Sequence, residues 1–190
     1  MSGFRQVDER ECGSAYLYRF VEATFEDPDG QRFVRQIVRS PGAVSAVPIV
    51  YAPDDTPRAE PRVVLIAQYR APHDEVVIEI PAGVRDVDGE ADDDNVRREL
   101  VEEVGLAPGN VELLTTIYPS AGMTDSTTTI FLATDCTPVE RTPHGPEEAH
   151  ADVFELPLGE AIEWVENGRI VDAKSVVGLL LAERRLRGGG

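Results

Sequence analysis

Apolar residues along this chain gather in short, β-branched runs separated by turn formers, the pattern of a sheet-rich fold. The runs predict strands over residues 15–25, 32–39, 46–52, 63–70 and 76–80, and again over 111–118, 127–134 and 151–155. Asp27-Pro28-Asp29-Gly30 reads as the hairpin turn between the first two. The period changes at about Asp93, where Val96, Leu100 and Val104 recur at helical spacing up to Gly105, a residue suited to the left-handed position that closes a helix. Two further helices are expected near the C-terminus. One spans 158–167 and ends at Gly168; the other has Asp172 as N-cap and carries Val176, Val177, Leu180 and Leu181.

Mixed strands with a few helices, not a regular alternation, predict an α+β fold with helices packed on sheet faces. The Pro- and acid-rich segments 52–61 and 138–148 read as exposed loops, and the terminal glycines as a frayed tail over 187–190. A chain of 190 residues is long enough for one well-buried core. The division expected is an N-terminal strand extension over 1–42 and one domain over 43–186.

The formal charge of −17 is dispersed, with no basic stripe of the kind nucleic acid recruits, so DNA or RNA is not an expected partner. Lys174 is the single lysine, a bias consistent either with a GC-rich genome or with salt adaptation. Residues 1–14 do not resemble a signal peptide, and the longest strongly apolar run, 176–182, is too short to span a bilayer. The two cysteines, Cys12 and Cys136, do not make a disulfide framework and are read as reduced thiols of a cytoplasmic protein.

The candidate chemistry lies on the helix after Asp93. Glu99, Glu102 and Glu103 stand at i, i+3 and i+4, so they share a face, expected to point outward while the apolar stripe packs inward. Such a cluster is either a solvated acidic surface or a site for a hard divalent cation such as Mg²⁺ or Mn²⁺.

The surrounding run decides between them. Arg98-Glu99-Leu100-Val101-Glu102-Glu103-Val104-Gly105-Leu106, with Glu90 eight positions before Arg98, resembles the signature of the Nudix hydrolases. One departure is a loop of six residues between Gly83 and Glu90 where the family pattern has five; this alters loop shape and leaves the helical register intact. The resemblance implies an α/β/α sandwich around a mixed sheet. It also implies metal held by Glu99, Glu103 and the Ala82 carbonyl with Glu102 assisting, and Arg98 and Glu90 as supports.

Over residues 15–182 the chain resembles the ADP-ribose pyrophosphatase branch of that family. Gln68-Tyr69-Arg70 followed by Glu79-Ile80-Pro81-Ala82-Gly83 is similar to that branch's pairing of a strand-end arginine, which contacts the substrate diphosphate, with a glutamate. Gly145-Pro146-Glu147-Glu148-Ala149-His150 matches its mobile catalytic loop, and Glu148, with Glu147 second, is expected as general base. His144 and His150 flank that loop and are left out of the site. Tyr118-Pro119-Ser120-Ala121-Gly122 resembles a substrate-side loop of the branch, with Gly122 preserving the turn and Ala121 where proline is usual.

The resemblance therefore implies a Mg²⁺- or Mn²⁺-dependent hydrolase of ADP-ribose or a related nucleoside diphosphate sugar. The alternatives are a hydrolase of nucleoside triphosphates or dinucleotide polyphosphates and a non-hydrolytic nucleotide-sugar sensor. It further implies a homodimer in which the strands up to about Arg39 cross to the partner chain.

Overall fold

The computed structural model describes residues 3–51 and 60–188, so most of the expected loop 52–61, the end of the expected strand 46–52 and the last two glycines lie outside the described residues. The chain divides into two compact units. The first comprises residues up to Gly42 together with Tyr118–Thr127, and the second comprises Ala43–Ile117 and Thr128–Gly190.

The first unit is an antiparallel meander of β1 (Arg5–Ala15), β2 (Tyr18–Glu26) and β3 (Arg32–Arg39). The hydrophobic pattern predicts a single strand over 15–25. The chain instead reverses at Tyr16, whose φ of 53° is left-handed, and β1 precedes it. β1 is invisible in the pattern because its side chains are mainly polar and nearly all exposed, so no apolar alternation was required. It is tied by ladder bonds and by cross-strand pairs such as Arg5–Glu26 at 2.7 Å and Arg10–Glu22 at 3.1 Å. The Asp27–Gly30 turn forms as expected, with Asp27 Oδ1 accepting from the amides of Asp29 and Gln31.

The second unit holds a mixed sheet flanked by helices on both faces, the α/β/α sandwich and mixed sheet expected of the sequence. Its strand path is β12 (Asp152–Pro157), β5 (Arg62–Arg70), β4 (Ala43–Val50), β10 (Thr128–Thr134), β9 (Asn110–Ile117), with β4 and β10 parallel and the other neighbours antiparallel. A fork in this sheet positions the site. β4 pairs with β5 only at Ile49 and Val50, while its first half pairs with β7 (Ala82–Val84); the far half of β5 pairs with β6 (Glu75–Glu79). Ile80 and Pro81 bridge β6 to β7 across the opening, and the Pro81 carbonyl accepts from the Ala46 amide at 3.1 Å.

One face of the sheet packs Val44, Ala46, Val64 and Ile66 against Val96, Leu100 and Val104 of α1 (Asp92–Val104), so the expected apolar stripe is buried. Gly105 closes α1 with φ 65°. It leads into β8 (Leu106–Ala107), which forms a short ladder with β11 (Thr137–Pro138). The segment 138–148 is not wholly loop, since β11 and a one-turn helix α2 (Pro146–Ala149) intrude on it. The other face packs Val47, Ile49, Leu65 and Ile130 against α3 (Leu158–Glu166) and α4 (Ala173–Gly188).

Asp172 caps α4, accepting from the Ser175 amide at 3.0 Å. The buried face of α4 is Ser175, Gly178, Leu179 and Ala182; Val176 and Val177 pack at its margin and Leu180 is exposed, which corrects the stripe read from the sequence. Gly178 decides this. Its Cα side meets Ile80, Val47 and Ile130 so closely that a Cβ would stand 3.0 Å from two of them, and small residues on that face let the helix seat on the sheet.

Candidate active site

The fork in the sheet brings the β7 backbone against one face of α1. The Ala82 amide donates to Glu103 Oε2 at 2.8 Å. At Gly83 the approach is closer still, since a Cβ there would overlap the carboxylate atoms of Glu99. Only glycine allows a strand to pass under a carboxylate at this separation.

This contact overturns the expectation that the acidic face points outward. Glu99 and Glu103 are buried, and Glu102 alone of the three is partly open. Positions 99 and 103 flank the Val96-Leu100-Val104 stripe, so a strand laid beside that stripe covers them too. Burial, with the charges of Glu102, Asp86 and Glu148, lifts the Glu99 carboxyl to about 7 even though Arg98 pulls it down. Burial lifts Glu103 to about 8, with Glu99 and Glu148 adding to the effect and the Ala82 amide opposing it.

Arg98 is the cationic hub of this face. It donates to Glu90 Oε2 at 3.1 Å, Glu102 Oε2 at 3.1 Å and Asp86 Oδ1 at 3.2 Å, and lies 2.9 Å from Glu99 Oε1. Nearby, Arg85 grips Asp92 at 2.6 and 2.7 Å, fixing the loop to the first turn of α1. The sequence reading missed Asp86 and Arg85, because an exposed loop gives no periodic signal. His144, expected to lie outside the site, stands 3.9 Å from Glu102 Oε2.

At the other branch of the fork, Arg70 at the end of β5 makes a two-pronged pair with Glu79 at the end of β6, at 2.6 and 2.7 Å. Glu79 is buried; burial alone would raise its carboxyl, but the Arg70 hydrogen bonds and the Lys174 charge hold it below the ordinary value. Lys174 Nζ also bonds Glu79 Oε2, a contact that sequence reasoning missed although the single lysine of the chain was its signal. Arg70, Glu79 and Lys174 line a cavity of about 430 Å³ with Pro72, Val77 and Val171.

Glu148 lies on α2, where its Oε2 accepts from the His144 amide at 2.6 Å and its carbonyl accepts from Arg141 at 2.6 Å. Its charge contributes to the shifts of both Glu99 and Glu103. Glu147 instead lines a separate cavity with Tyr69, Val76 and His150. Gly122 belongs to the first unit, in the turn where the Met123 and Thr124 amides donate to the Ser120 carbonyl.

Among the described residues no group of three or more His, Cys, Asp or Glu side chains stands in a metal-ligating arrangement. The donor chemistry nevertheless fits a hard divalent cation. Burial pushes both carboxylates toward neutrality, Glu148 adds to this at each and Glu99 at Glu103, and their close polar neighbours are Arg98 and the Ala82 amide.

Residues 42–176 match the NUDIX domain, and the chain belongs to that family. Its class is that of the Nudix pyrophosphohydrolase-type enzymes. It is 34% identical over 152 residues to the methanol dehydrogenase activator of Bacillus methanolicus, covering 80% of this chain and 77% of that one. It is 30% identical over 176 residues to the ADP-ribose pyrophosphatase of Bacillus subtilis (strain 168), covering 90% of each. Identity to the GDP-mannose pyrophosphatase of Pectobacterium atrosepticum is 33% over 138 residues, 69% of each chain. A solved structure described as an ADP compounds hydrolase superposes with a TM-score of 0.82 over 98% of this chain and 96% of its own at 24% identity, a likeness of fold.

Proposed function

We propose that the protein hydrolyses the diphosphate linkage of ADP-ribose or a related nucleoside diphosphate sugar, releasing a nucleoside monophosphate and a sugar phosphate. The observation that carries this reading is the buried Glu99–Glu103 pair pressed against the Ala82–Gly83 backbone, with Arg70 at the neighbouring strand end. The likeness to the Bacillus subtilis ADP-ribose pyrophosphatase, spanning nine-tenths of both chains, supports the substrate class. Similarity to a GDP-mannose pyrophosphatase leaves the sugar and base open.

Glu99, Glu103 and the Ala82 carbonyl, with Glu102 assisting, would hold Mg²⁺ or Mn²⁺. When bound, that ion would supply charge neutralisation for the diphosphate and acidify an attacking water. Arg98 fixes the direction of Glu99 and Glu102 through its hydrogen bonds to Glu90 and Asp86. Arg70 binds a diphosphate oxygen through the part of its guanidinium that Glu79 does not occupy. Glu148 takes the proton of the attacking water, a role suited to a carboxylate on a short element that can approach the helix face. Gly122 is assigned to substrate binding on the family resemblance of its loop alone.

The β1–β3 meander, with Phe20 and Val34 exposed, serves in this reading as the homodimerisation element. Free cysteines accord with a reducing, cytoplasmic setting. The deciding experiment is a panel of ADP-ribose, other nucleoside diphosphate sugars, nucleoside triphosphates and dinucleotide polyphosphates with Mg²⁺, scored for monophosphate, phosphate and diphosphate. Monophosphate and sugar phosphate from a diphosphate sugar are expected. Turnover of triphosphates or dinucleotides alone would reject the substrate class, and binding without cleavage would reject the enzyme.

A further inference from the structure

We propose that Lys174 is a positioning residue for Arg70: it shares the neutralisation of Glu79 and so leaves the arginine available to phosphate. The inference rests on the reading of Arg70 as the diphosphate contact. It is carried by a chain of contacts running from the start of α4 to the cavity.

Glu79 spreads both oxygens over the Nε and Nη2 edge of Arg70, leaving Nη1 outside the pair. With Arg70 as its sole cation, a buried Glu79 would be under-compensated whenever the guanidinium charge was shared with a diphosphate at Nη1, and an under-compensated buried carboxylate is costly. Lys174 removes that conflict by bonding Glu79 Oε2 as well. Lys174 in turn donates to Asp172 Oδ2 at 3.0 Å, which would cancel its charge were Asp172 not already satisfied. Asp172 accepts from the Ser175 amide at 3.0 Å and the Ser175 hydroxyl at 2.6 Å at the amino end of the sixteen-residue α4, where the helix dipole favours a negative group. The positive charge of Lys174 is therefore directed at Glu79.

The same turn also supports the metal side of the fork. Ser175 Oγ accepts from the Ile80 amide at 2.9 Å, two residues before Ala82. Asp172, Lys174 and Ser175 thus hold the arginine and the β6–β7 connection from a single helical turn.

The test is calorimetric titration of the full chain with inorganic diphosphate in metal-free buffer, comparing wild type, Lys174→Met, Lys174→Arg, Arg70→Ala and the double variant Arg70→Ala with Lys174→Met. Lys174→Met is expected to weaken binding about tenfold, and Lys174→Arg to recover to within about threefold of wild type. The double variant is expected to bind no more weakly than Arg70→Ala alone, because Lys174 acts through Arg70. A merely structural lysine would give additive losses, and that outcome, like unchanged binding by Lys174→Met or no diphosphate binding by wild type, overturns the inference. Should Lys174→Met melt below the assay temperature, Lys174→Gln takes its place in the same cycle. A wild type that binds diphosphate but cleaves none of the nucleotide panel removes the proposed function alone, and the cycle still decides the role of Lys174.

Discussion

Gly83 passes directly beneath the carboxylate of Glu99, so a methyl group at position 83 has nowhere to go without displacing that side chain. Because the obstructing atoms are the far end of a flexible side chain and not backbone, Gly83→Ala should spare the fold and misplace the carboxylate. We expect melting to fall by only a few degrees, whereas kcat/KM should drop on the order of 10²-fold, the scale of loss for a misplacement near 1 Å. Steady-state kinetics beside a thermal melt separate the two. A variant as active as wild type would show that Glu99 need not sit where it does.

Glu103→Gln keeps an acceptor for the Ala82 amide but removes a buried charge. Turnover should be nearly abolished with the circular dichroism spectrum unchanged. Without metal at pH 9 the variant should melt above wild type, since wild type must there ionise a carboxyl whose ordinary value burial has raised to about 8. Retained turnover would remove Glu103 from the metal set.

The pH dependence of stability follows with its sign. Glu99 and Glu103 titrate at about 7 and about 8 in the folded chain, above the ordinary carboxyl value of 4.5, so the native state binds more protons than the unfolded state between those limits. Stability of the metal-free protein should therefore fall as pH rises from about 5 to about 9. Mg²⁺ should raise the melting temperature more at pH 8.5 than at pH 6, because the cation needs the ionised pair. Scanning calorimetry with EDTA and with Mg²⁺ at both pH values checks this, and an equal Mg²⁺ increment would count against these carboxylates as ligands.

Glu148 and Glu147 are adjacent yet differently placed: the charge of Glu148 acts on Glu99 and Glu103, while Glu147 lines another cavity. Glu148→Gln should slow turnover by about 10² to 10⁴, the usual range for loss of a general base. Glu147→Gln should leave the rate within about threefold, the ordinary outcome for a surface change away from the chemistry. A reversed pattern in single-turnover rates would move the base to Glu147.

The glutamate face of α1 is legible in the sequence because helical register is a local property. Val96, Leu100 and Val104 fix which side of α1 is inward, and the glutamate spacing follows. What register could not supply was the neighbour on the far side. Burial of Glu99 and Glu103 depends on β7 crossing their face, a consequence of long-range pairing between Ala43–Ser45 and Ala82–Val84. Lys174 met Glu79 for the same reason, across 95 positions of sequence. β1 is silent in the sequence for the opposite cause: it buries almost nothing, so its fold needs no alternation of apolar residues.

If the β1–β3 meander joins two copies, sedimentation should give twice the mass of the chain, and Phe20→Glu, on its exposed surface, should shift the population toward monomer. A wild-type monomer at micromolar concentration would reject that role.

The parting of β4 between β5 and β7 has a consequence for tolerance to insertion. Upstream of Ala82 the connector is only Ile80 and Pro81, both tied to neighbouring elements, so one added residue there would slide the Ala82–Gly83 backbone out of step with α1. Downstream, the chain from Arg85 to Ala91 turns at Gly89 and is held by side chains and not by a strand ladder, so an extra residue there should be absorbed without moving α1. Length is frozen on one flank of the pocket and negotiable on the other, and grafted loops that retune what the protein accepts belong on the negotiable side.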